Sequence, residues 1–172
     1  MAQLGDIVAR LMVRDLRALA REIEAYADEE SVWAVPPGVA NSAGTLTLHV
    51  IGNLQHFIGA QLGRSGYRRD RDAEFTVRGT GRTELVRQLE STIAMIEAIL
   101  PTLSAEQLSE PFPLEVAGVR VRTDDFAVHL AVHLGYHLGQ VDYHRRLSAA
   151  PGTVGTMAIP ELATARRMGD VP

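Results

Sequence analysis

The chain contains no cysteine and no lysine; all 17 of its basic residues are arginine. Without cysteine there are no disulfides, no thiolate nucleophile and no zinc or iron–sulfur site with a sulfur ligand. Without lysine there is no Schiff-base amine and no phosphate-loop lysine. No apolar run approaches the roughly 20 residues of a membrane helix. The opening Met1-Ala-Gln-Leu-Gly-Asp6 has neither the charged start nor the long apolar core of a signal peptide, so the cytoplasm is the expected compartment. A net charge of −4 gives no general attraction to nucleic acid or to an anionic membrane, and neither is expected as a partner. What remains is histidine, carboxylate, hydroxyl and arginine chemistry. With 172 residues, 46% of them hydrophobic and 22% charged, the chain suits one globular domain with a real core.

Apolar periodicity marks four helical blocks joined by Gly- and Pro-rich segments. The first runs from Leu4 to about Glu30, with Ile7, Val8, Leu11, Met12, Leu16, Leu19 and Ile23 in one stripe. A connection holding Trp33 and Pro36-Pro37-Gly38 follows; it is a candidate cover for one end of the fold. The second block spans about Ala43 to Gly63, with Asn41 or Ser42 as N-cap. Its Gly52, Gly59 and Gly63 each cost about 1 kcal/mol relative to alanine and partly share a face, which suits close packing. Residues 64–79 read as a charged loop, and their interleaved acids favour a self-paired surface over an anion grip by Arg64 to Arg71. The third helix runs from about Thr80 to Leu100 and is ended by Pro101. Ser104-Ala-Glu-Gln107 has the capping-box pattern, Leu114 to Val121 suggests a small hairpin, and Thr123 is expected to cap a fourth helix ending near Leu147. The expected organisation is an all-α four-helix bundle over 1–147, with the tail 148–172 packed on it and holding a short helix near Pro160 to Met168.

Four of the six histidines, His129, His133, His137 and His144, fall in the fourth helix. At about 100° per residue, the first three step round by only ~40° each and share one face, amid Leu130, Leu134, Leu138 and Val141, so an interior position is expected. Burying several imidazoles is costly unless each finds a partner, and a metal ion would satisfy them together. His133 and His137 are ~6 Å apart in rise and can reach one ion, whereas His144 is ~16 Å from His133 and cannot join them. A third ligand must come from another helix, where His49 and His56 lie on one face but ~10 Å apart, so only one of them fits. No Glu-x-x-His of the di-iron type, no His-Glu-x-x-His and no haem attachment motif occurs.

The segments Gly44-Thr-Leu-Thr-Leu-His-Val-Ile-Gly-Asn-Leu-Gln-His-Phe-Ile-Gly59 and His133-Leu-Gly-Tyr-His-Leu-Gly-Gln140 resemble helices 2 and 4 of the DinB/YfiT-like metalloproteins. The resemblance implies an up-and-down four-helix bundle with a long connection, a homodimer, and one divalent metal on His49, His133 and His137. By the same resemblance Gln140 stands where the family's glutamine orients a ligand, while Leu138 replaces a common arginine and alters the rim of the site. His56 and His129 remain candidates on the substrate side or behind the ligands. Three imidazoles suit Zn or Ni best, with Fe, Mn or Cu as further options.

Relatives of this kind include transferases that join low-molecular-weight thiols to electrophiles, and the resemblance implies such an enzyme acting on a small molecule. With no cysteine in the chain, the thiol must come from the substrate. Hydrolysis at the same metal and a stress-linked metal-binding protein without turnover are the alternatives. No general base stands out: Asp142 lies ~140° round the helix from His137, on a solvated or interface side.

Overall fold

The computed structural model describes residues 3–148, 152, 154, 157–162, 164 and 165. Seven α-helices occur among them, and no strand: α1 (Leu4–Glu24), α2 (Glu29–Trp33), α3 (Ala43–Leu54), α4 (Arg71–Thr76), α5 (Arg82–Ile99), α6 (Ala105–Ser109) and α7 (Thr123–Leu147). The four long ones correspond to the four periodic blocks. α1 packs against α5 and α7, and α3 packs against α4, α5 and α7. Met12, Leu16, Leu19, Leu54, Leu85, Leu89, Ile96, Leu130 and Leu134 fill the space between them and are almost wholly removed from water. Apolar burial of this kind is the main favourable term in folding.

The first helix ends at Glu24 rather than near Glu30, because Asp28 caps a new short helix: its carboxylate accepts from the Ser31 backbone N–H at 2.7 Å. Ser42 is the cap of α3, accepting from the Thr45 N–H at 3.2 Å. The second block continues past Leu54 as a π-helical stretch, Gln55–Leu62, whose wider turns advance each residue by less than an α-helix does. The charged loop is not irregular throughout, since Asp70 accepts from the Ala73 N–H at 2.9 Å and starts α4. Pro101 falls in a 3₁₀ turn, Leu100–Thr102, immediately after α5. The Ser104–Gln107 capping box forms in both directions.

Thr123 does not cap α7. It is the first helical residue, and its hydroxyl donates to the Glu110 carbonyl at 3.0 Å, tying α6 to the start of α7. The 114–121 segment forms a tight reversal with one isolated bridge, Val116 to Val119, beside a second from Pro111 to Arg122, instead of a hairpin of two strands. Ala117 and Gly118 both take positive φ there, as a type I′ turn requires. In the tail, Ile159–Glu161 forms a 3₁₀ turn where a helix from 160 to 168 was expected; most of residues 163–168 lie outside the described residues. Glu161 pairs with Arg21 of α1 at 3.5 Å, and the Gly152 carbonyl accepts from Arg145 of α7 at 2.8 Å.

Candidate metal centre

His49, from the middle of α3, and His133 and His137, one turn apart on α7, bring one ring nitrogen each to within 4.8 Å of one another. His133 is central: its Nε2 lies 3.1 Å from His137 Nε2 and 3.4 Å from His49 Nε2. A tetrahedral ion with metal–nitrogen bonds of about 2.0–2.1 Å places its ligand nitrogens about 3.4 Å apart, so the observed spacing suits one shared ion. His49 is buried, whereas His133 and His137 are half-buried and His129 is exposed. The histidine face of α7 therefore sits at the edge of the core, not inside it, because Leu130, Leu134, Leu138 and Val141 take the interior side.

The outer nitrogens explain why the inner ones are free to coordinate. A carboxylate only accepts, so His49 Nδ1 donates to Glu74 Oε2 at 2.9 Å. Glu74 is buried, and Arg69 donates to both of its oxygens, at 2.6 and 2.8 Å. Burial pushes the Glu74 carboxyl up, but the hydrogen bonds from Arg69 and His49 outweigh it and hold the group below its ordinary range. His137 Nδ1 is likewise 2.7 Å from Gln140 Oε1. With Nδ1 carrying the proton in both rings, each Nε2 turns a lone pair toward His133. Burial lowers the His133 imidazole to about 4, and the neighbouring His137, His49, His129 and Arg69 reinforce it. Burial also lowers His137, partly opposed by Gln140. Both stay neutral near pH 7, the state a metal ligand needs.

The other histidines separate cleanly. His56 lies in the π-helical stretch beside Phe57, with ring centroids 4.8 Å apart, and stays outside the three-histidine cluster. Its Nδ1 and the Asn53 Oδ1 are buried without a hydrogen-bond partner among the described residues. His129 stacks between Phe126 and His133, at 5.8 and 6.2 Å, and leads from the cluster to the surface. His144 Nε2 donates to the Ala34 carbonyl at 2.9 Å and its Nδ1 accepts from the Tyr26 hydroxyl at 2.7 Å, so both nitrogens are committed to holding α7 against the segments on either side of α2. Trp33 packs on Gly44 and donates to the Thr80 carbonyl at 3.2 Å, a packing role at the start of α3.

Sequence reasoning missed Arg69 and Glu74, which were absorbed into a solvated charged loop. The available signal was Gly52: a histidine ligand wants an acceptor on its outer nitrogen, and a glycine three residues along α3 leaves room for one. A separate cavity of about 770 Å³ lies between α1, the end of α5 and the tail. Its Arg10, Arg14, Arg17 and Arg21 already face Asp6, Asp15, Glu97 and Glu161, and it does not include the histidines.

Three imidazoles converge, the outer protons of two of them held by Glu74 and Gln140, in an arrangement that could hold a metal ion. A DinB superfamily sequence model matches residues 11–141, and the chain belongs to that superfamily. No curated protein matches it.

Proposed function

We propose that His49, His133 and His137 hold one divalent ion and that the chain is a metal-dependent enzyme of the low-molecular-weight-thiol transferase type. The observation that carries this reading is the convergence of three Nε2 atoms while Glu74 and Gln140 hold the outer protons of two of the rings. Three imidazoles leave one position open for substrate, and the half-exposed His133 and His137 form the side from which it enters. When bound, the ion supplies Lewis acidity that activates the sulfur of a thiol, or the oxygen of water, for attack on an electrophile.

The chain's own residues perform the remaining tasks. Glu74 and Gln140 fix ring orientation and tautomer, and Arg69 keeps Glu74 ionised so that His49 stays a strong donor to the ion. The His129 ring, stacked on His133 and backed by the buried Phe126, offers an aromatic surface for the electrophile on the approach to the ion. The reading carries with it an up-and-down arrangement of the four long helices. It also assumes the cytoplasm, where small thiols stand reduced; no helix among the described residues is long and apolar enough to cross a membrane. Zn or Ni suits the all-imidazole donor set best.

The test is to load protein purified without a histidine tag with Zn or Ni and incubate it with electrophiles, with and without small thiols. Thiol adducts that form only with metal-loaded protein support the proposal. Hydrolysed product without thiol would replace it with metal-dependent hydrolysis, and an inert loaded protein would leave a binding role alone.

A further inference from the structure

The loop from Arg64 to Arg71 is not the self-paired surface its composition suggests. Of Arg64, Arg68, Arg69 and Arg71, only Arg69 forms an ion pair among the described residues, with Glu74, and its side chain is only 13% exposed. Glu74 takes the Nε and Nη2 edge of that guanidinium and leaves Nη1 without a hydrogen-bond partner among the described residues. The group lies against the metal centre: Nη2 stands 3.3 Å from His49 Nδ1, and Cζ sits 5.8 Å from the centre of the Phe57 ring. Burial lowers the His56 imidazole and the charge of Arg69 lowers it further, as it does at His133, so the guanidinium reaches both rings electrostatically. A second cation flanks the same ligand. Arg71 stacks on Phe75 at 5.5 Å, and Phe75 packs on His49 with ring centroids 5.1 Å apart. Arg71 is exposed, and the adjacent Asp70 is committed to the Ala73 N–H at the start of α4.

We propose that Arg69 and Arg71 anchor a carboxylate of the substrate, so that the metal centre acts on a small molecule bearing that group. The substrate class rests on the function proposed above, whereas the anchor itself is built only from the chain. The Arg69–Glu74 pair is neutral as a whole, so Arg69 contributes directed N–H donors and Arg71 contributes a charge that no ion pair spends among the described residues. One free nitrogen and one such charge suit a monoanion better than a dianionic phosphate, and a guanidinium donates to planar carboxylates in a fixed geometry. The same side of the centre holds further unspent polarity. Asn53 Oδ1 and His56 Nδ1, one and two turns along from His49, are buried without partners among the described residues. Buried polar groups left open are uncommon, and a few of them beside apolar walls are what a small-molecule site provides. Here the walls are Phe57 and Phe126, whose rings meet edge-on with centroids 4.9 Å apart.

The test compares two probes of equal length, 3-mercaptopropionate and 3-mercaptopropionamide, which carry the same thiol and differ in charge at the far end. Calorimetry on Zn-loaded protein at pH 7 should show the acid binding about 10- to 100-fold more tightly than the amide, the range of a hydrogen bond to a charged group. Arg69→Gln should erase that ratio, Arg69→Lys should restore part of it, and Arg71→Gln should reduce it. The ratio is the readout because a loss acting through Glu74 and His49 weakens both probes alike. Equal affinities in the parent, or a ratio that survives Arg69→Gln, overturn the anchor and leave the metal site standing. Zn content, measured on the same samples, tests the metal reading separately. If the chain holds no metal, propionate titrated into the metal-free protein decides the anchor alone. It should shift the Arg69 Nε–H resonance where propionamide does not, and an unmoved resonance overturns the proposal.

Discussion

Glu74 reaches the Nδ1 of His49 at 2.9 Å across a patch of α3 that Gly52 leaves bare. A Cβ at position 52 would fall 2.1 Å from Glu74 Oε1, the same oxygen that accepts from Arg69. The α3 glycine, the short helix α4 and the arginine before it thus act together on one imidazole. Gly52 costs helix propensity, and in return a buried carboxylate can lie flat against the helix that carries the ligand.

Removing that support should weaken metal binding without removing a ligand. Glu74→Ala and Gly52→Ala are each expected to lower affinity about 10- to 100-fold, the usual cost of losing a partner behind a metal-bound histidine. Competition against a chromophoric chelator measures this directly. Wild-type affinity in both variants would show that Glu74 does not orient His49.

The ligand set makes a sharper expectation. Alanine at His49, His133 or His137 should cut metal content severely, while His56→Ala and His144→Ala should keep it. His144→Ala is expected instead to lose stability, since Tyr26 and the Ala34 carbonyl are left in a buried site without their shared partner. Each such group costs about 1–3 kcal/mol. Elemental analysis beside urea denaturation separates the two effects. Metal loss in His56→Ala but not in His49→Ala would reverse the assignment.

The four long helices were legible because each is amphipathic over many turns, and the His133/His137 pair because helical spacing is fixed arithmetic. The third ligand was not legible from spacing alone: His49 and His56 share a face only while the helix stays α, and the π-helical stretch from Gln55 changes that phase. The family resemblance, not periodicity, singled out His49. The expected interior position of the histidine face failed because α7 has apolar residues on two sides, and composition does not say which side faces the core. Arg69 and Glu74 escaped notice because a loop rich in both charges looks solvated; only the tertiary approach of α4 to Gly52 shows that one of its pairs is buried.

A second buried ion pair lies far from the metal centre, where Arg145 of α7 donates through Nε to Glu22 of α1. Both side chains are essentially removed from water. Glu22→Ala leaves a guanidinium buried without its main counter-charge, and a loss of about 3–5 kcal/mol is expected, with metal affinity unchanged in the protein that still folds. Chemical denaturation followed by circular dichroism checks it. A change under 1 kcal/mol would mean that Arg145 is satisfied by its other partners, among them Asp142 at 3.5 Å and the Gly152 carbonyl.

Asp15 gives a pH-dependent expectation of defined sign. It is buried on α1, and burial pushes its carboxyl above the ordinary 3.8, although Arg14, at 2.7 Å, pulls it the other way. An acid whose folded pKa is raised binds its proton more tightly when folded, so its favourable contribution is present below 3.8 and is lost as pH rises through the folded value. At neutral pH the ionised carboxylate therefore works against folding. Asp15→Asn keeps the shape and removes the charge; it should be more stable than the parent at pH 7, with the advantage shrinking as the pH is lowered toward 3.8. Urea midpoints of the two proteins across that range test it. A variant less stable than the parent at pH 7 would show that the Arg14 ion pair outweighs the cost of burying Asp15.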